Sequence, residues 1–355
     1  MKGTIVFIPP NHPAIRSMGR IDDADPARPI WVFPYTQARF RCTGTAIRIT
    51  LVNHWNYGEN YVGAVIDGMQ TKIRIPVHDE PITLTIADHL PDIEHDVVIF
   101  KRQDGEHYIE LLGFGLDDSA AILPPADPSP ERRIEIYGDS VSCGERNEAV
   151  RYTGMADPEI DLSSYSNSWF SYGAITARNL GAQLHDVAQG GAALLDGIGW
   201  FDGPDYTGME SIWDRIEYNP ALGKTKPWDF TRYTPHVIII ALGQNDAHPD
   251  DFMATDYNGE QARHWRARYA DFIRTLRDRY PDAHIVCTTT VLQHDAAWDR
   301  AIDEVCRAFG DPKVTHFLYS RNGLATPGHP RIAEHEEMAR ELTAYLEGFG
   351  DGLWS

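Results

Sequence analysis

Two hydrophobic rhythms divide the sequence near residue 124. Before that point short β-rich runs are separated by turn signals: RFRCTGTAIRITLV (39–52), YVGAVIDG (61–68), TKIRIPV (71–77), ITLTIA (82–87) and HDVVIFKR (95–102). Ile47, Ile49 and Leu51 alternate with Arg48 and Thr50, which places the apolar set on one face of a strand. Asp67-Gly68, between two such runs, reads as a hairpin turn. Nothing here has the spacing of a long helix. The expectation for residues 1–123 is an antiparallel β-sandwich of the jelly-roll kind.

Residues 124–130 read PPADPSP, a stiff extended linker that cannot continue either rhythm. From 131 to 355 apolar strand runs alternate with helical stretches. The strands are RIEIYG (133–138), QLHDVA (183–188), HVIIIAL (236–242), HIVCTTTV (284–291) and VTHFLY (314–319). The helices are SWFSYGAITARNLG, QARHWRARYADFIRTLRDRY, AAWDRAIDEVCRAF and RIAEHEEMARELTAYLEG. In the last, Ile332, His335, Ala339, Leu342 and Leu346 form one stripe, so His335 reads as a core histidine. Five strands alternating with helices imply an α/β fold with a parallel, doubly wound sheet. Ligands of such sheets bind at the C-terminal strand ends.

Charge narrows the function classes. The formal net charge of -20 opposes nucleic acid and anionic membranes as partners but not a neutral substrate. No apolar run approaches the ~20 residues of a spanning helix. The N-terminal segment lacks the apolar region and cleavage site of a signal peptide, so the expectation is a cytoplasmic protein, or a secreted one whose leader has been removed. The four cysteines (Cys42, Cys143, Cys287, Cys306) have no CxxC spacing and read as buried thiols. There is no HExxH or paired ligand spacing. Neither a metal nor a cofactor is expected.

The strand ends carry the candidate chemistry. The first runs directly into Gly138-Asp139-Ser140, where a glycine lets the backbone turn and present a serine. The second ends in Gly190-Gly191, the third in Gly243-Gln244-Asn245-Asp246, and the last is followed by Thr326-Pro327-Gly328-His329-Pro330. Taken singly, each reads more readily as a turn, a cap, or a structural or solvated histidine. Together they offer a nucleophile, a close-approach glycine, a side-chain amide and an imidazole at one edge of a sheet.

These four stretches resemble the sequence blocks of SGNH hydrolases, named for Ser, Gly, Asn and His in this order. That resemblance covers 131–355. The whole chain resembles carbohydrate esterase family 2, which joins an N-terminal jelly roll to an SGNH domain. The similar stretches are WVFPYTQARFRCTGT (31–45), VIDG (65–68), WDFTRYTPHVIIIALGQND (228–246) and GHPRIAEHEEMA (328–339). The resemblance implies a flavodoxin-like three-layer domain with a five-stranded sheet, and hydrolysis of acetyl esters on oligo- or polysaccharides. It assigns Ser140 as nucleophile and His329 as general base. The oxyanion hole is then the N–H groups of Ser140 and Gly191 with the amide of Asn245, Gly191 being chosen over Gly190 by the family pattern.

One position departs from the SGNH pattern. The Asp usual three residues before the histidine is Thr326 here, and no carboxylate lies between 314 and 329. The expectation is a Ser–His dyad, its imidazole oriented by the carbonyl of Thr326 or Pro327, with an Asp from another loop as the alternative. Trp228 and Trp298 are candidate sugar-stacking residues, with core packing the competing reading for both. Rival functions are an SGNH lipase or thioesterase, which needs an apolar groove beside Ser140, and a carbohydrate-binding protein without turnover.

Overall fold

The computed structural model describes residues 5–355; residues 1–4, which begin the segment tested above for a leader, lie outside the described residues. The chain forms two compact units. One comprises residues up to Ser129 together with Ile216–Lys226, the other Pro130–Arg215 and Pro227–Ser355.

The first unit is a sandwich of two antiparallel sheets. One sheet runs Ile21–Asp22, Ile30–Trp31, His107–Asp117, Ile47–Trp55, Ile82–Ala87, with Ile5–Ile8 also paired to His107–Asp117. The other runs Ile122–Leu123, Gln37–Cys42, His95–Lys101, Asn60–Ile66, Met69–Ile75, with Arg16–Met18 on Gln37–Cys42. The period-2 pattern sets which side chains face inward. Ile47, Ile49 and Leu51 meet Ala38, Phe40, Val62, Ala64, Val97 and Ile99 in one core. Asp67 (φ 50°) and Gly68 (φ 81°) make the two-residue turn between Ile66 and Met69, which pair directly. Both positive φ values are those of a type I′ hairpin.

The excursion Ile216–Lys226 was not foreseen, because the sequence reading took 131–355 as one uninterrupted span. It is tied into the sandwich unit by polar contacts. Tyr108 Oη accepts from the N–H groups of Tyr218 (3.0 Å) and Asn219 (2.7 Å), and Lys226 Nζ donates to Asp22 (2.6 Å) and Glu217 (2.7 Å).

The second unit is built on a parallel sheet of β1 (Arg132–Gly138), β2 (Ala182–Ala188), β3 (Val237–Ala241), β4 (His284–Thr288) and β5 (Val314–His316). Its strand order is β2-β1-β3-β4-β5, the flavodoxin-like order whose switch point lies between β1 and β3. β3 is buried along its whole length, as a strand covered on both faces must be. The main helices are α1 (Ser140–Cys143), α2 (Tyr172–Asn179), α3 (Glu260–Arg279), α4 (Ala296–Phe309) and α5 (Ile332–Glu347). α3 buries Trp265, Tyr269, Phe272, Ile273 and Leu276, spaced as one helical face. Asp295 caps α4 by accepting from Ala297 N, and Gly310 ends it at φ 72°, both favoured at those positions. Among the described residues no helix is long and apolar enough to cross a membrane. All four cysteines are buried and unbridged.

Candidate active site

β1 passes into α1 with only Asp139 between them. A Cβ on Gly138 would lie 2.2 Å from Ser142 Oγ, so the tight turn requires glycine there. Asp139 caps α1 by accepting from Val141 N at 3.0 Å, and Ser140 is its first residue. At that position the Ser140 N–H has no intrahelical acceptor. The side chain sits at the C-terminal edge of β1, beside the switch point, and is 3% exposed.

The three polar residues after β3 each tie a different part of the site. Gln244 Nε2 donates to Asp139 Oδ2 (2.7 Å), and its Oε1 accepts from Thr290 N (3.0 Å) beyond β4. Asn245 Nδ2 donates to Asp139 Oδ2 (3.0 Å) and to the Ala192 carbonyl (3.1 Å). Asp246 accepts from Leu194 N (2.9 Å) and from Trp265 Nε1 (2.6 Å). The first three sequence blocks are therefore one hydrogen-bonded frame around the end of β1. Burial pushes the Asp139 carboxyl up to about 6, opposed by the bonds from Gln244 and Val141. Burial likewise pushes Asp246 to about 7 against the bond from Trp265.

Gly191 has φ 78°. Its carbonyl accepts from Trp200 N at 2.8 Å, and a Cβ would lie 2.9 Å from Trp200 Cβ and 3.0 Å from Phe201 N. Both the conformation and the close approach of the 200–201 backbone demand glycine.

His329 is set by an acidic residue the sequence reading did not name. The expected carbonyl of Thr326 or Pro327 is not its partner. Instead Nδ1 is 2.7 Å from Asp157 Oδ2, and the His329 backbone N–H donates to the same oxygen at 3.2 Å. Asp157 comes from the loop between α1 and α2. Arg331 Nη2 donates to its Oδ1 at 2.5 Å and Arg146 Nη1 to its Oδ2 at 3.2 Å. Burial opposes charge on Asp157, but the bonds from His329 and Arg331 outweigh it and hold the carboxyl well below the usual range. An ionised carboxylate can only accept, so Nδ1 carries the ring proton and Nε2 is the basic nitrogen. Nε2 lies 3.8 Å from Glu145 Oε2, beyond hydrogen-bond distance. The loop carrying His329 is pinned by Glu334, which accepts from Thr326 N (2.9 Å) and Arg331 N (2.8 Å).

The two tryptophans proposed as stacking residues are not available for it. Trp298 is fully buried in α4, its indole N–H on Asp251 at 3.1 Å and its ring against Trp265 and Phe252. Trp228 is 5% exposed, with its ring edge-on to His185 and beneath Arg232. The exposed aromatic beside the frame is Trp200, 60% exposed, its ring stacked on His248 at 3.4 Å. His335 is a core histidine: Nδ1 accepts from Tyr172 N at 3.1 Å, and burial holds its ring down at about 3. Among the described residues no group of three or more His, Cys, Asp or Glu side chains could hold a metal ion.

Residues 17–126 match the carbohydrate esterase 2 N-terminal family, and residues 136–345 the GDSL-like lipase/acylhydrolase family. An acetylxylan esterase / glucomannan deacetylase of Cellvibrio japonicus is 30% identical over 350 residues, covering 96% of this chain and 90% of that protein. The chain belongs to carbohydrate esterase family 2. The cellulase/esterase CelE of Acetivibrio thermocellus is also 30% identical, over 95% of this chain, which spans 40% of that longer protein. Among solved structures, a family two carbohydrate esterase from Cellvibrio japonicus superposes with a TM-score of 0.79 at 27% identity, covering 99% of each chain. A family two esterase from Clostridium thermocellum, in complex with cellohexaose, gives 0.75 at 29% identity over 94% of this chain and 98% of its own.

Proposed function

We propose that this family 2 esterase hydrolyses acetyl esters on plant-type oligo- and polysaccharides, through Ser140 and His329 with Asp157 as the orienting carboxylate. Nε2 of His329 takes the hydroxyl proton as Ser140 Oγ attacks the ester carbonyl, since an unassisted serine hydroxyl is a weak nucleophile. The N–H groups of Ser140 and Gly191 and the amide of Asn245 meet the developing oxyanion. Asp139 holds the Asn245 amide in plane; the N–H now on the Ala192 carbonyl is the one the oxyanion competes for. The imidazolium then protonates the departing sugar oxygen. Water, deprotonated by the same nitrogen, releases acetate and restores Ser140.

The observation that carries this reading is the Asp157–His329 hydrogen bond, which leaves Nε2 as the base. Trp200, mounted on Gly191 by backbone bonds and backed by His248, supports a pyranose stacking on its open face. The test is release of 4-nitrophenol from acetate, butyrate and octanoate esters by wild type and Ser140→Ala, followed by acetylated xylo-oligosaccharides. Acetate preferred, with activity abolished in the variant, is expected. Equal or greater turnover of octanoate would favour a lipase, and no turnover by folded wild type a binding protein. Asn245→Ala should lower turnover about 10²–10³-fold.

A further inference from the structure

We propose that His294 is a positioning residue: a buried imidazolium that ties the loop after β4 to the loop leading to His329, so that turnover is lost when it gives up its proton. The role rests on the esterase reading, since turnover here means ester hydrolysis by Ser140 and His329. Only 1% of the His294 side chain is exposed. Its Nδ1 lies 2.6 Å from the Leu292 carbonyl and its Nε2 3.0 Å from Asp299 Oδ1. A carbonyl and an ionised carboxylate only accept, so the ring donates from both nitrogens and carries a charge.

Asn322, on the loop after β5, does not supply a proton in its place. Its Nδ2 is 3.3 Å from His294 Nε2, but its two N–H groups go to Thr289 Oγ1 (2.8 Å) and Asp299 Oδ1 (2.9 Å). Asp299 on α4 and Asp139 after β1 face the ring with charges that favour the imidazolium. The loop after β5 brings the uncharged Asn322 and Gly323, where a Cβ would stand 3.4 Å from His294 Cε1. Burial opposes charge on the ring, but the bond to Asp299 and its attraction outweigh it and raise His294 above the ordinary histidine value. Burial opposes charge on Asp299 as well, and the bond from His294 more than offsets it.

The cluster lies between two parts of the site. On one side Thr290 N donates to Gln244, whose amide donates to Asp139. On the other, the carbonyls of Thr290 and Val291 accept from Gly323 N (3.0 Å) and Ala325 N (2.8 Å), the latter four residues before His329. A neutral ring would set the Nε2 lone pair against the Asp299 carboxylate. Asn322 is the donor placed to relieve this, and in turning to Nε2 it gives up Thr289 or Asp299. The loop before His329 then loses a tie, and a displacement of about 1 Å costs on the order of 10²-fold in rate.

The test follows the His294 ring by long-range proton–nitrogen NMR, assigned through its backbone, across the pH series used to measure kcat on 4-nitrophenyl acetate. Both ring nitrogens should carry protons at pH 7. As the ring deprotonates at higher pH, kcat should fall about ten- to a hundredfold with KM little changed. His294→Gln can donate to Asp299 and does not titrate, so it should lack that alkaline loss. A neutral ring in wild type at pH 7 overturns the proposal whether or not the variant folds. So does an alkaline loss of kcat that persists unchanged in folded His294→Gln. Wild type inert on the aryl acetate would bring down the esterase reading, and with it the role of His294, whatever the charge on the ring.

Discussion

Nδ1 of His329 and Oδ2 of Asp157 meet across 2.7 Å although 172 positions separate them in the chain. Gly328 makes the approach possible: a Cβ there would stand 2.5 Å from Asp157 Oδ1. Two guanidinium groups, from Arg331 and Arg146, converge on the same carboxylate. The pair restores in space the carboxylate–imidazole relation that the spacing before His329 lacks.

Replacing Asp157 with Asn should be worse than a simple loss of charge. The amide can present an N–H to Nδ1, which moves the ring proton to Nε2 and removes the base. A wrong tautomer costs up to about 10⁴ in turnover in serine proteases. Asp157→Asn should fall well below wild type on 4-nitrophenyl acetate and below Asp157→Ala. Near-wild-type turnover in both would return His329 to the carbonyl-oriented dyad.

The sequence carried the architecture because each unit obeys its own rhythm. Ile47, Ile49 and Leu51 point into the sandwich core, and β3 is as uniformly buried as its run of isoleucines implies. Ser140, Asn245 and Gly191 were legible because each follows a strand at one sheet edge. Asp157 was not, since a carboxylate on an irregular loop has no periodicity and its partner is remote. Its one local trace was Gly328, a glycine whose necessity shows only once Asp157 is in place. Trp200 was hidden for the same reason, lying in the turns after Gly191 where no pattern separates exposed from buried. The excursion 216–226 escaped because its attachments, such as Tyr108 to Asn219, are polar and distant in sequence.

Gly191→Ala should damage the frame rather than merely weaken one donor. The residue would have to hold φ near 78° with its methyl against Trp200 Cβ and Phe201 N. Strain of about 1–3 kcal/mol is the usual scale for such a residue, and the 190–201 turns should rearrange to relieve it. Turnover should drop at least as far as in Asn245→Ala, with altered Trp200 fluorescence. An unchanged spectrum and full activity would mean the turn tolerates a side chain.

Asp246 makes stability depend on pH in a direction that can be signed. Burial raises its folded value to about 7, above the ~3.9 of an unfolded Asp. Between those values the folded state holds a proton the unfolded chain has lost, so this contribution weakens as pH rises from about 4 to 7. Asp246→Asn cannot titrate. It should be less stable than wild type by about 1–3 kcal/mol at low pH, from the disturbed bonds to Leu194 and Trp265. That gap should narrow as pH rises. Urea midpoints of both proteins at pH 5 and 7.5 measure it, and a gap that widens contradicts a neutral buried acid.

Trp200 and Trp298 should separate binding from stability. Trp200 is exposed and held from behind by His248, so Trp200→Ala removes a flat surface without opening a cavity. Its KM for acetylated xylo-oligosaccharides should rise about tenfold more than for 4-nitrophenyl acetate, the scale of one aromatic stacking contact, with little change in unfolding midpoint. Trp298 is fully buried against Trp265 and Phe252 and satisfies Asp251. Trp298→Ala should cost about 3–5 kcal/mol of stability, and whatever folds should keep the wild-type ratio of KM values between the two substrates. A shift of that ratio in Trp298→Ala, with none in Trp200→Ala, would return the sugar contact to Trp298 in the first turn of α4.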